Sequence, residues 1–109
     1  MQGNIVSITV DGVEVVRDFD LPSVQHFEAV TSTGNRYVVE RDSSQMWTTT
    51  WDVIEVSPGS IPSQKHIGKV SSPRSFLGPS KQYRFALDHG FLDSGIQNDL
   101  WNAVQSLTD

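Results

Sequence analysis

Hydrophobic and polar positions alternate with period two along most of the chain and change to helical spacing only near its end. Ile5-Val6-Ser7-Ile8-Thr9-Val10, then Asp11-Gly12, then Val13-Glu14-Val15-Val16 reads as a β-hairpin. Asp-Gly suits the two-residue type I′ turn, which needs positive φ at both positions. Val6, Ile8 and Val10 then share a face with Val13 and Val15, and Ser7, Thr9 and Glu14 take the other. A second hairpin is predicted after the break at Leu21-Pro22-Ser23. Its strands cover residues 27–31 and 36–40, and Ser32-Thr33-Gly34-Asn35 supplies the turn. Residues 46–56 form a third alternating stretch. Trp47, Thr49, Trp51 and Val53 fall on one face; Met46, Thr48, Thr50, Ile54 and Val56 fall on the other. β-branched and aromatic content makes it a strand, and its length calls for a bend or bulge.

The pattern then breaks. Pro58, Pro62, Pro73 and Pro79, with Gly59, Gly68 and Gly78, punctuate residues 57–80. Proline removes ladder donors, so the expectation is a long Pro/Gly-rich loop at about 57–80, holding at most a short edge strand over residues 65–70. Residues 83–87 fit either a last strand or a short helical turn. Ser94-Gly95-Ile96-Gln97 matches a capping box, and Ile96, Leu100, Ala103, Val104 and Leu107 recur at helical spacing. The spacing predicts a helix over 95–107, docked on the sheet with Trp101 flanking its apolar stripe.

These elements define an α+β fold class. The expected architecture is an antiparallel β-meander, roll or small barrel of five to seven strands, capped by a C-terminal amphipathic helix. With 109 residues there is room for one core, so residues 1–109 are expected to form a single domain.

Composition narrows the functional classes. The chain has no cysteine, which excludes disulfides, a thiolate zinc site and a cysteine nucleophile. A cysteine-free chain of this size fits a reducing compartment, and the expectation is cytoplasmic. Met1-Gln2-Gly3-Asn4 does not read as a signal peptide, and no apolar run is long enough to span a bilayer, so no membrane association is expected. His26, His66 and His89 lack metal-site spacing, so no metal and no cofactor are predicted. Asp88 and His89 are adjacent, and neighbouring side chains diverge on either a strand or a helix. There is no nucleophile elbow, phosphate loop or dinucleotide fingerprint. The expectation is a chain that is not an enzyme and has no catalytic residues.

The charge distribution is more specific than the net charge of -5. Between residues 57 and 87 lie Lys65, Lys69, Arg74, Lys81 and Arg84, with His66 and no acid. The rest carries all 13 carboxylates and only Arg17, Arg36 and Arg41. One reading is a basic flap lying against its own acidic sheet. The other is a partner-binding segment made of Lys65, His66, Lys69, Arg74, Lys81 and Arg84. Trp47 and Trp51 are a possible aromatic contact for a ligand, although core anchoring is the commoner role of such residues. The leading expectation is a non-catalytic interaction or regulatory module that binds another macromolecule, a protein first. Two alternatives stand beside it. One is a structural subunit that forms a homo-oligomer through the 46–56 strand. The other is a binder of nucleic acid or another anionic ligand through residues 65–84. Oligomeric state is left open.

Several short strands followed by one helix is the element order of the pleckstrin-homology-like roll. The segment Asp99-Leu100-Trp101-Asn102-Ala103-Val104-Gln105 resembles that family's closing helix, whose tryptophan packs into the sandwich. The first hairpin departs from the family's phosphoinositide binders, because it turns at Asp11-Gly12 and carries no basic cluster. The resemblance therefore implies a fold and no function, and a small SH3-like barrel with an added helix fits nearly as well.

Overall fold

A computed structural model of the chain describes residues 4–17, 19–42, 48–57, 63–73, 82–88 and 94–108. Among these residues lie eight strands and one α-helix: β1 Ile5–Val10, β2 Val13–Val15, β3 His26–Thr31, β4 Arg36–Asp42, β5 Thr48–Ser57, β6 Ser63–Pro73, β7 Tyr83–Leu87, β8 Ser94–Gln97 and α1 Leu100–Thr108. A 3-10 turn, Leu21–Ser23, separates β2 from β3. The strands form one antiparallel sheet in the order β2-β1-β3-β4-β5-β6-β7-β8. The fold is therefore α+β, with eight strands rather than five to seven. From β3 to β8 each strand pairs with the next. The edge strands β2 and β8 do not pair with each other, so the sheet is open and not a closed barrel.

The first hairpin forms as its turn chemistry requires. Asp11 has φ 50° and Gly12 φ 80°, and Val10 pairs with Val13. A shift of register between Ile5 and Ser7 alters the predicted faces. Ile5 pairs with Thr31 and Ile8 with Ala29, so both isoleucines reach the core, while Val6 is 59% exposed. The inner face then reads Ile5, Ile8, Phe27, Ala29, Tyr37, Val39, Trp51, Val53 and Val70, all buried. Leu100, Trp101, Ala103, Val104 and Leu107 of α1 close the same cluster. Arg17, just beyond β2, reaches Asp99 and Asn102, which follow β8.

Two predicted elements come out differently. Residues 63–73 are an 11-residue strand lying between β5 and β7, not a loop with a short edge strand. Pro73 is the last residue of β6, so it ends the strand without interrupting it. The rest of the predicted loop, residues 58–62 and 74–80, lies outside the described residues. Gly68 sits inside β6 because a Cβ there would stand 2.5 Å from the Ala86 carbonyl oxygen and 3.0 Å from Leu107 Cδ2. The helix begins at Leu100 instead of Gly95. Ser94–Gln97 is strand β8, which pairs with β7, and Ile96 is 54% exposed and not part of a buried helical stripe. Asp99 is the actual cap: its Oδ1 accepts from the Asn102 amide at 2.7 Å, and its carbonyl accepts from the Ala103 amide.

Candidate functional site

Two polar constellations stand out, one on the outer face of the sheet and one beside the helix. The first is produced by a β-bulge. Asp52 on β5 pairs with Lys69 on β6, and Val53 pairs with Gly68, but Ile54 pairs with His66. Ile67 is thus the extra residue. Strict alternation would send His66 to the inner face with Gly68 and Val70. The bulge puts it on the outer face with Asp52 and Lys69. There His66 Nε2 lies 3.0 Å from Asp52 Oδ1, and Nδ1 lies 2.5 Å from Asp88 Oδ2. Asp88 follows β7 and is fixed by its own amide, which donates to the Ile67 carbonyl at 2.9 Å. Lys69 Nζ stands 3.9 Å from the same Asp52 oxygen. One imidazole therefore clasps β5 to the end of β7 across β6.

This geometry favours imidazolium. Hydrogen bonding to Asp88 and then to Asp52 raises the His66 pKa above its ordinary value near 6.5, against a smaller opposing effect of burial. With both ring nitrogens bonded to carboxylates, no lone pair is left to accept a substrate proton or to bind a metal. Among the described residues no group of three or more His, Asp and Glu side chains is arranged to hold a metal ion.

The second constellation is an open cleft of about 470 Å³ between the Leu21–Ser23 turn and α1. Its aromatic residues are Phe19, Tyr83 and Trp101, and its charged residues are Arg17, Asp20 and Asp99. The buried side chains of Leu21 and Leu100 also line it. The Arg17 guanidinium lies 4.8 Å from the centre of the Trp101 ring. Its Nη2 donates to Asn102 Oδ1 at 3.0 Å and approaches Asp99 Oδ2 at 3.4 Å. Asp20 precedes the 3-10 turn but does not cap it through its side chain; its backbone carbonyl accepts from Ser23 Oγ instead. Burial, followed by the charges of Asp20 and Asp99, pushes the Tyr83 phenol above its ordinary pKa. The Tyr83 ring packs at 5.7 Å against Trp51, and the Arg41 Nη1 donor holds the Pro22 carbonyl at 2.7 Å, so core side chains position the cleft wall.

Compared with protein-family models, curated proteins and solved structures, the chain finds no match. The likeness to a pleckstrin-homology roll accordingly stays at element order.

Of the predicted basic segment, Lys65, His66, Lys69 and Arg84 lie among the described residues. His66, Lys69 and Arg84 share the outer face, but His66 and Lys69 are engaged by Asp52 and Asp88. Lys65 lies opposite Glu55. Arg74 and Lys81 are outside the described residues, as is Trp47. Trp51 is 2% exposed and belongs to the core, so it is not a contact platform. The sequence reading missed the cleft because its residues come from separated stretches: 17 with 19–22, then 83, then 98–101. The one local hint was the Asp99-Leu100-Trp101 run.

Proposed function

We propose that this chain is a non-catalytic interaction module that binds another protein, and that the cleft beside α1 is its docking point. The observation carrying this reading is the cleft's combination of three aromatic side chains, a volume in the range of ligand sites, and a carboxylate, Asp20, that the fold itself does not use for capping. Tyrosine and tryptophan are enriched where partners dock, because each offers a large apolar body with a polar edge. The anionic-ligand alternative loses support from the pairing of Lys69 with Asp52 and the placement of Lys65 opposite Glu55.

A photo-crosslinking residue placed at Phe19, on the cleft rim, tests the reading against the same residue at Glu28 or Lys69 on the outer sheet face. Crosslinks to a discrete protein from position 19 alone are the expected outcome. Crosslinks only from Glu28 or Lys69 move the interface to the sheet.

The assembly-subunit reading was expected to use residues 46–56, but β5 lies inside the sheet between β4 and β6 with Trp51 and Val53 in the core, so the reading moves to the sheet edge. Val13 and Val16, on and just beyond edge strand β2, are 65% and 68% exposed. An exposed apolar edge is a template for pairing with another chain. Light scattering distinguishes the two readings: a 12.1 kDa species supports the module, and a multiple of it that Val13→Lys dissociates supports assembly.

A further inference from the structure

We infer that the cleft beside α1 binds an arginine side chain presented by the partner, with the guanidinium received by Asp20 between Phe19 and Tyr83. The inference rests on the docking reading above and adds the chemistry of the occupant. Its first support is that the cleft already holds a guanidinium of its own. Arg17 lies over Trp101, bonds Asn102 and pairs with Asp99, so this wall suits a planar cation and is filled by the chain's own, which leaves Asp20, Phe19 and Tyr83 for the partner's. Its second support is charge. Asp20 and Asp99 bring two negative charges to the cleft and Arg17 brings one positive charge, which leaves one negative charge uncompensated among the lining residues. Its third support is that Asp20 is exposed and does not use its side chain to cap the turn that follows it, while Phe19 beside it is 37% exposed. Guanidinium suits this place better than ammonium because its flat, weakly hydrated face stacks on rings while its edge donates to a carboxylate.

The test uses the full chain and a defined probe, N-acetyl-arginine methylamide, followed by amide and indole NMR signals. The neutral isostere N-acetyl-citrulline methylamide is the control. The expected result is a saturable shift at Phe19, Asp20 and the Trp101 indole. The citrulline compound should bind about fivefold more weakly, and Asp20→Asn should remove that difference, as expected for one exposed charge pair. Equal binding of the two compounds, or a preference that survives Asp20→Asn, overturns the inference. So does an absence of shifts in the cleft. Because Asp20 is exposed and its side chain does not cap the turn, the variant keeps the fold, and an unchanged spectrum outside the cleft verifies this. If crosslinks still form at Phe19 while the arginine probe fails, the docking reading stands and only the guanidinium assignment falls.

Discussion

Around His66, two carboxylates, an imidazole and an ammonium are held at 2.5 to 3.9 Å, and both imidazole nitrogens are taken. In the cleft, Asp99 caps the helix and meets Arg17, while Asp20 has no comparable duty. Each region brings two aspartates together with a cation, so the carboxylates alone do not separate them. What separates them is saturation. A polar group whose bonds are completed within the fold stabilises the fold; one left exposed in an aromatic cleft is available to something else. Changes at the clasp should therefore move stability and leave partner capture alone, and changes at Asp20 should do the reverse.

The largest expected effect lies beneath the cleft. Leu100→Asp places a carboxylate at a position only 1% exposed and should cost about 3 kcal/mol or more, abolishing cooperative thermal unfolding. It would remove the cleft with the fold, so circular dichroism must accompany any loss of binding. Beside the clasp, Gly68→Ala should cost about 1–3 kcal/mol, because the new methyl group meets the backbone carbonyl of Ala86 and the β6–β7 pair must spread. Urea unfolding measures it. A neutral outcome would show that β7 shifts freely, and that Asp88 is not held rigidly against His66.

A smaller effect is expected from pH. The folded-state pKa of His66 is raised, so its contribution is fully present below the unfolded value near 6.5 and is lost as pH rises through the higher folded value. Neutral imidazole has one N–H, so either Asp52 or Asp88 then faces a lone pair. The side chains are about one-third exposed, at 35%, 31% and 33%, which limits each pair to about 0.5–1 kcal/mol. The melting temperature should fall across that window in the wild type and fall less in His66→Ala.

How much of this was legible in the sequence differs between elements for physical reasons. The Asp11-Gly12 hairpin was legible because a local φ requirement fixes it. The helical stripe of Leu100, Ala103, Val104 and Leu107 was legible because burial follows its period. The helix start was not. Ser94 and Asp99 are both residue types that cap helices, and pairing of residues 94–97 with β7 decides between them. Gly95 permits that pairing, since a Cβ there would stand 2.9 Å from the Phe85 ring. β6 was hidden by the prolines near its ends. The clasp was hidden by the bulge at Ile67, because a one-residue slip moves His66 to the other face and no pattern in the strand announces it.

The smallest effect separates the two carboxylates of the cleft itself. Asp99→Ala removes the acceptor for the Asn102 amide at the helix start, together with the pairing to Arg17, and should cost about 1 kcal/mol. Asp20→Asn removes a charge that caps nothing and should change stability by no more than about 0.5 kcal/mol. Both variants lower the negative charge of the cleft by one, so both should weaken a cationic partner. Only the first should also lower the melting temperature. Measuring stability and probe affinity on the same two samples therefore tests the saturation argument within a single site. If Asp20→Asn proves as destabilising as Asp99→Ala, Asp20 is already committed inside the fold. The cleft would then resemble the clasp, and the distinction between the two regions would disappear.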